Sequence, residues 1–369
     1  MKKGYYIHFN ARTVPGVDKK IGMHLKAFKK RYDIEEINVE PVPRNLFERV
    51  IGLFPTASVS RTYKDALERI KDPDFIYARR TTCDRKYLGF FKAIKKKYPD
   101  CRIMIEIFTY PYDRDDFAKW DSWPFAIKEK MYRGKLKKYV DRFVTYTDDD
   151  EIFGIPTIKT VNGIYVSDIP IVKGDYDPDV INLIGVAYMQ RQHGFERVIE
   201  GLGNYYSKDP GSKKRVNLTL VGDGPEKAKY IKLAEDLKID EYVKFEPSTV
   251  GEALDELYDK NDIALGIFGM YKNGFYGCMS ALKTRECLAK GLPTVSGCMI
   301  DVVPDDSEYA LYFPNDGSEI DINKIVEYSD SLRDKYPHKK DLAEKIREFA
   351  LETVDMDKVN EPIYGFIEA

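Results

Sequence analysis

Short apolar runs alternate with amphipathic segments along the first half of the chain. In residues 19–31, Ile21, Leu25 and Phe28 recur at the spacing of one helical face, which predicts a helix. Short runs of mainly apolar residues bounded by polar or turn residues predict strands. The predicted strands are Tyr5–Phe9, Phe75–Ala78, Arg102–Phe108 and Arg142–Tyr146, and the further predicted helices are Tyr87–Tyr98 and Ala126–Tyr139.

The same alternation restarts after Ser167–Asp179, a segment rich in Asp, Pro and Gly that has no apolar periodicity and reads as a linker. The predicted strands are Ile181–Val186, Asn217–Val221, Val243–Phe245, Ile263–Ile267, Pro293–Ser296 and Leu311–Phe313, and the predicted helices are Glu196–Tyr206, Lys227–Leu237, Gly251–Lys260 and Lys340–Thr353. Strands that alternate with helices indicate parallel sheets covered on both faces.

The pattern therefore predicts an α/β protein with two doubly wound, Rossmann-like domains that face a cleft. We place the domains at residues 1–170 and 171–345, and expect the tail, residues 346–369, to be a C-terminal helix. Ligands of open parallel sheets bind outside the carboxyl ends of the strands, so the loops after each strand are the candidate sites.

Composition excludes some classes of protein. The chain is 43% hydrophobic and 33% charged, a balance typical of globular proteins, and it lacks any apolar run of about 18 residues. The N-terminus has no apolar signal core, so we expect a cytoplasmic protein. The five cysteines form no CxxC pair, which favours reduced thiols over disulfides or a zinc site.

The net charge of −2 conceals an asymmetry. Residues 1–170 carry 34 Lys and Arg against 24 Asp and Glu, whereas residues 171–369 carry 25 against 37. The basic half includes Trp120–Arg142, where lysines alternate with apolar and aromatic residues, and Leu46–Phe54, which is unusually apolar for a connector. Both segments fit an anionic membrane face, although an ordinary helix with its apolar stripe in the core explains them as well.

The segment Ser280–Gly297 carries the strongest chemical pattern. Lys283 and Glu286 lie three residues apart near the start of a predicted helix, hence on one face. The lysine and the helix dipole would attract phosphates, and the carboxylate would accept hydrogen bonds from ribose hydroxyls. An ordinary surface ion pair is the alternative.

Three other loops of the second half could contact the same ligand. Gly185 precedes a loop in which Arg191 and His193 could donate to a phosphate, and Gly269 lies in a glycine- and aromatic-rich loop that could offer backbone N–H groups. Gly222 and Gly224 follow a strand, where a simple turn is the alternative. The GxGxxG fingerprint is absent, which argues against a dehydrogenase.

In the first half, Glu106–Asp113 follows a predicted strand and brings carboxylates and aromatic rings to its end. Such groups often hold sugars, so Glu106, Tyr110, Tyr112 and Asp113 are candidates, and Arg79 could meet an anionic group. A helix start or a solvated turn explains Asp148–Asp150 more simply than a metal site does, and we expect no metal and no cofactor.

These residues resemble the two-domain glycosyltransferases of the GT-B architecture, close to the retaining family-4 enzymes of bacterial capsule and exopolysaccharide synthesis. The resemblance rests on the segments Glu106–Asp113, Ile155–Ile164, Ile184–Phe195, Leu220–Pro225 and Leu282–Pro293.

The resemblance implies that the second domain binds a nucleotide-sugar donor and the first an acceptor. It assigns Glu286 to the donor ribose, Lys283, Arg191 and His193 to the diphosphate, and Gly16 to a loop that approaches the donor phosphate. It further implies that the final helix crosses back to the first domain.

The chain departs from the usual family pattern at three places. Cys278 replaces the first of two glutamates spaced eight apart. Tyr188 and His193 stand near where an Arg…Lys pair is usual. The histidine that commonly follows the late first-domain strand is missing, and Glu106 lies there.

We therefore expect sugar transfer from a nucleotide-diphosphate donor, a UDP-sugar, to a hydroxyl of a glycan or lipid-linked acceptor, with Lys283, Arg191, His193 and Glu106 as catalytic candidates. The alternatives are a nucleotide-sugar epimerase and an inactive nucleotide-sugar-binding protein at the membrane. We expect no nucleic-acid partner, and location in the cytoplasm or on the inner face of the membrane.

Overall fold

The computed structural model describes residues 1–9, 15–43, 45–54, 57, 61–108, 110–112, 122–208 and 214–369. The chain forms two compact units. The first unit comprises residues 1–161 and 359–369, and the second comprises residues 162–358. The chain therefore passes from the first unit to the second and returns to the first for its last eleven residues.

The first unit is built on a seven-stranded sheet in the order β2-β1-β3-β4-β5-β7-β6. All neighbouring strands are parallel except the β6–β7 hairpin. The strands are Lys3–His8 (β1), Asp33–Asn38 (β2), Phe75–Arg79 (β3), Arg102–Ile107 (β4), Arg142–Thr145 (β5), Glu151–Ile152 (β6) and Ile155–Lys159 (β7).

Helices cover both faces of this sheet because its side chains alternate between two apolar cores. In β3, Ile76 and Ala78 join one core, whereas Phe75 and Tyr77 join the other. The helices among the described residues are Pro15–Lys29 (α1), Leu46–Ile51 (α2), Lys64–Arg69 (α3), Arg85–Lys97 (α4) and Trp123–Tyr132 (α5), followed by the 3₁₀ helix Arg133–Lys138.

The second unit has a six-stranded sheet of parallel strands in the order β10-β9-β8-β11-β12-β13. Its strands are Val180–Val186 (β8), Arg215–Val221 (β9), Val243–Glu246 (β10), Ile263–Leu265 (β11), Thr294–Ser296 (β12) and Ala310–Tyr312 (β13). Its helices are Glu196–Lys208 (α6), Lys227–Asp236 (α7), Glu252–Asp259 (α8), Leu282–Lys290 (α9), Ile322–Lys335 (α10) and Lys339–Thr353 (α11).

The C-terminal segment belongs to the first unit. Met356–Val359 (α12) and Glu361–Glu368 (α13) end the chain, and Ile363, Tyr364 and Ile367 of α13 are buried in the same core as Tyr6 and Phe75. The units divide after residues 161 and 358, whereas the sequence pattern suggested 170 and 345, so α11 lies wholly in the second unit.

Several elements differ from the sequence prediction. The strand β2 was missed because it pairs only with β1 at the sheet edge, so its exposed positions are polar and only Ile34 and Ile37 give an apolar signal. Leu46–Phe54, predicted as a connector, begins with α2, which Asn45 and Glu48 cap reciprocally. The predicted helix Ala126–Tyr139 changes to a 3₁₀ helix from Arg133 onward.

Candidate functional site

The topology of the second unit creates one point where two loops leave the sheet side by side. The chain runs outward from β8 through β9 to β10, then returns to add β11 on the other side of β8. The neighbouring strands β8 and β11 are parallel, with Leu183 opposite Ile263. The loops that follow these two strands therefore flank a topological switch point, the usual ligand site of such sheets.

These loops are held together by backbone hydrogen bonds. The N–H groups of Phe268 and Gly269 donate to the carbonyls of His193 and Gln192, at 2.9 and 3.0 Å. Gly194 adopts a φ of 66°, and a Cβ there would lie 2.6 Å from the nitrogen of Gly269, so only glycine fits. The loop after β8 is thus fixed against the loop after β11.

The other predicted donor-loop glycines have packing reasons as well. Gly222 has a φ of 129°, and a Cβ on it would lie 2.0 Å from the carbonyl oxygen of Ala187. The same atom on Gly224 would lie 2.4 Å from the carbonyl oxygen of Met189. Gly185 is buried inside β8 against Leu220. Their contact with a ligand stays a prediction, since close chain packing already explains them.

Lys283 lies in the first turn of α9 and points toward the end of β11. Its Nζ lies 3.4 Å from the carbonyl oxygen of Gly266, and 5.1 Å from the centre of the Phe195 ring. Burial lowers the pKa of Lys283 to about 8. A lysine that is partly stripped of water, but still mostly charged at neutral pH, is well suited to receive an anion.

The same helix end offers backbone donors. The residue before α9 is Ala281, whose side chain has no oxygen with which to cap the first N–H groups. These N–H groups and the positive end of the helix dipole lie one residue from Lys283, so both attract negative charge at one place.

His193 faces the same region in its neutral form. Its ring centre lies 5.8 Å from that of Phe195, so Lys283 and His193 share one aromatic neighbour. Burial, with the nearby charge of Lys283, lowers the pKa of His193 to about 4. Its Nδ1 lies 3.0 Å from the backbone nitrogen of Gln190 and 3.3 Å from the carbonyl oxygen of the same residue. In the tautomer in which Nδ1 accepts from the N–H, the proton is on Nε2. His193 is therefore an uncharged donor at neutral pH.

Arg191 and Glu286 lie at the same end of the second unit. Arg191 is exposed, and its guanidinium makes no hydrogen bond or ion pair with any residue that the structure describes. Glu286 is half-buried on α9, one turn beyond Lys283. The structure thus brings Lys283, His193 and the start of α9 to one place, with Arg191 on the loop that carries His193.

Two buried arginines that the sequence analysis missed hold this arrangement. Arg197 donates through Nη1 to the carbonyl of Phe268 at 2.7 Å, and so holds the loop after β11 in place. Arg285, on α9, donates through Nε to the carbonyl of Asn162 at 3.0 Å and through Nη2 to the hydroxyl of Ser280 at 3.1 Å. Both are fully buried, which charged side chains tolerate only when paired.

In the first unit, Glu106 belongs to a buried ion cluster. Its carboxylate lies 2.7 Å from Lys20 Nζ and 2.8 Å from Arg79 Nη1, and it accepts a hydrogen bond from the hydroxyl of Tyr146. Burial opposes ionisation of Glu106, but the charges of Lys20 and Arg79 outweigh it and hold the pKa of Glu106 well below its ordinary value. Glu106 is thus fully buried and paired with two cations, and its catalytic role stays a prediction.

The other residues predicted to bind the acceptor substrate also contact side chains of the first unit. Arg79 is buried on Glu106, and the buried Tyr112 donates its hydroxyl to Glu129 at 2.8 Å while Arg80 stacks on its ring. Tyr110 is half-buried against the ring of Tyr112.

Asp113 lies outside the described residues. Gly16, expected in a loop that approaches the donor phosphate, is instead exposed in the first turn of α1, with open space where a Cβ would be. Proline at the preceding position favours this earlier helix start.

Two further observations concern metals and membranes. Within the described part of the chain, no three His, Cys, Asp or Glu side chains converge as a metal site would require. Asp150, from the predicted turn, pairs with Lys159 at 2.8 Å. None of the described helices has the length and apolar character needed to cross a bilayer.

No protein-family model matches the chain, and no curated protein matches it. Solved structures match over its whole length. Sucrose-phosphate synthase from Thermosynechococcus elongatus superposes with a TM-score of 0.63 at 11% identity, covering 100% of this chain and 98% of that chain. Anabaena HepE, solved in complex with UDP, gives 0.61 at 12% identity and covers 100% of both chains. The fold is that of the GT-B glycosyltransferases.

A third match is the lipopolysaccharide outer core galactosyltransferase WaaB in its apo form, with a TM-score of 0.56 at 12% identity, covering 99% of this chain and 100% of that chain. Identities this low establish the GT-B fold alone. Activity and substrate must be argued from the residues at the site.

Proposed function

We propose that the protein is a glycosyltransferase that uses a nucleotide-diphosphate sugar as donor. The observation that carries the proposal is the position of Lys283 and neutral His193 around Phe195, at the switch point of the second sheet. The GT-B fold supports it, because this edge of the sheet is where a parallel α/β domain binds its ligand.

The proposed chemistry is the departure of a nucleoside diphosphate from the anomeric carbon of the sugar. Negative charge grows on the leaving oxygen as that bond breaks, and fixed donors around it lower the barrier. We assign this role to Lys283, the N–H groups at the start of α9, and Nε2–H of His193. Arg191 adds a second positive charge from the exposed side, and Glu286 accepts hydrogen bonds from the ribose.

The finer proposal is a retaining transfer from a UDP-sugar to a glycan or lipid-linked hydroxyl in surface polysaccharide synthesis. HepE is solved in complex with UDP, and WaaB is a lipopolysaccharide outer core galactosyltransferase, which supports this class of donor and acceptor. We propose that the first unit binds the acceptor.

The test is donor binding by thermal stability against UDP-, GDP-, ADP- and CMP-sugars. A ligand at about 100 times its Kd adds about 2.7 kcal/mol to the free energy of unfolding. We expect one nucleotide family to raise the Tm, and Lys283→Met and Glu286→Ala to abolish that increase. Lys324→Met and Glu352→Ala change exposed residues of the same unit and serve as matched controls.

The variant His193→Asn tests the hydrogen-bond donor of His193 while keeping the structure of its loop. An asparagine oxygen can accept from the N–H of Gln190 as Nδ1 does, but the variant lacks the Nε2–H donor. We expect an unchanged Tm and a kcat lower by about 10- to 100-fold, equivalent to roughly 1.5–3 kcal/mol for a hydrogen bond to a charged group.

Turnover distinguishes the proposal from its alternatives. A transferase consumes the donor faster when acceptor is present, an epimerase converts the donor alone, and an inactive binding protein does neither. No Tm increase with any nucleotide sugar would remove the basis of the proposal.

A further inference from the structure

Large apolar side chains are concentrated in solvent on two short elements of the first unit. On α2 and the turn that follows it, Leu46 is 81% exposed, Phe47 72% and Phe54 61%. Trp123 of α5 is 53% exposed. We call the following set the apolar face: Leu46, Phe47, Val50, Leu53, Phe54, Trp123, Ile127 and Met131.

The spacing shows that this exposure belongs to ordered helices. Trp123, Ile127 and Met131 recur every four residues, so they form one stripe along α5, whereas Ala126 and Glu129 of the same helix are buried. The helix α2 is closed at its start by the reciprocal cap of Asn45 and Glu48.

The two elements are joined directly. Lys128 of α5 is buried, and its Nζ donates to the carbonyl of Gly52 at the end of α2. This bond fixes the stripe on α5 beside the turn that carries Leu53 and Phe54. The apolar face therefore lies on two elements that are bonded to each other, whereas the exposed apolar residues of an ordinary surface are scattered singly.

The charge on α5 and on the 3₁₀ helix that follows it favours an anionic partner. Residues 122–138 contain six Lys and Arg but a single acidic residue, Glu129, which is buried. Lys130, Lys135, Lys137 and Lys138 are exposed. A second copy of this chain would place like charges against one another across a two-fold interface, whereas an anionic lipid surface is attracted.

We propose that the apolar face is a docking surface for an anionic phospholipid bilayer, with its apolar side chains between the headgroups and the exposed lysines against the lipid phosphates. Amphipathic helices with aromatic residues on one side and lysines beside them bind membranes in this way. The proposal does not depend on the donor chemistry, because it concerns a surface of the first unit that can be measured without any nucleotide.

The test is sedimentation of the full chain with vesicles of 70% phosphatidylcholine and 30% phosphatidylglycerol, compared with pure phosphatidylcholine. We expect at least tenfold tighter binding to the anionic vesicles. The double variant Phe47→Ser/Trp123→Ser should lose at least tenfold in affinity, and Lys135→Gln/Lys137→Gln/Lys138→Gln should lose the preference for anionic lipid. Val250→Ser is the matched control, since Val250 is 82% exposed in the second unit.

All these positions are exposed, so the variants should keep the Tm of the parent protein, and any donor-induced Tm increase should also persist. Equal binding of the parent to both vesicle types would overturn the proposal, as would full binding by the Phe47→Ser/Trp123→Ser variant. Light scattering that shows a dimer for the parent protein and a monomer for the Phe47→Ser/Trp123→Ser variant would also overturn the proposal, because a second copy would then cover the surface.

Discussion

At the scale of a single residue, Lys283 gives the candidate site a pH dependence. Its pKa is lowered to about 8 by burial, so its charge is lost as the pH rises through 8, two units before an ordinary lysine. We expect the Kd for the nucleotide sugar to rise between pH 7 and pH 9, by up to about tenfold per pH unit above 8. Isothermal titration calorimetry at several pH values measures this.

The matched variant is Lys283→Arg, which keeps its charge across this range because the guanidinium does not deprotonate. Its donor affinity, whatever its absolute value, should be independent of pH between 7 and 9. A parent protein whose Kd is also constant over this interval would contradict a role for the Lys283 charge in binding the diphosphate. His193, with a pKa of about 4, is already neutral and adds nothing to this transition.

The sequence could identify Lys283 and Glu286 because their spacing places them on one helical face. It could not reveal Arg285 between them, since its role depends on the carbonyl of Asn162, 123 residues away along the chain. Arg197 was missed for the same reason, because its partner Phe268 lies 71 residues away. Local spacing identifies residues that share a face, whereas long-range partners emerge only with the fold.

At the scale of elements, the Glu106 cluster joins four parts of the first unit. Glu106 is on β4, Arg79 ends β3, Tyr146 follows β5, and Lys20 comes from α1. We expect Glu106→Gln to destabilise the protein by about 3–5 kcal/mol, because it leaves two buried cations without a carboxylate. Chemical denaturation at pH 7 measures the loss.

The pH dependence of that loss follows from the direction of the pKa shift. The pKa of Glu106 is lower in the folded protein than its ordinary 4.5, so its contribution is complete above 4.5 and declines as the pH falls below it. The difference between parent and Glu106→Gln should shrink accordingly. The exposed pair Lys64 and Glu68 is the control, and Glu68→Gln should cost less than about 1 kcal/mol.

A second variant tests whether the stability lost in Glu106→Gln comes from the buried cations that it leaves unpaired. Adding Lys20→Met to Glu106→Gln removes one of the unpaired cations, so the double variant should be more stable than the sum of the two single changes predicts. Strict additivity would show that the buried charges do not depend on one another.

Elements with two buried faces were the easiest to predict, because β3, β4 and β8 are nearly continuous apolar runs. The elements that the sequence did not reveal are those with mixed surroundings. β2 is an edge strand with polar outward positions. α2 directs its apolar residues to solvent, so its apolar run did not indicate a helix face packed on a core. The apolar pattern therefore predicted the layers of the fold better than its edges.

At the scale of the whole molecule, the last eleven residues complete a core that begins at the first strand. Ile363, Tyr364 and Ile367 pack with Tyr6, and Lys2 Nζ donates to the carbonyl of Ile367 at 2.5 Å. The helix α13 is thus a part of the first unit that follows the second unit along the chain.

We expect Ile367→Ala to destabilise the first unit by about 2–5 kcal/mol, since it removes a fully buried side chain from this core. Leu351→Ala is the matched control on α11, where the side chain is 46% exposed, and should change stability by less than about 0.5 kcal/mol. Hydrogen exchange identifies the unit that is affected. Protection should fall in β1, β3 and α1, about 300 residues or more from the substitution in sequence, and stay unchanged in β8 and β9. Loss of protection in the second unit instead would contradict the assignment of α13 to the first.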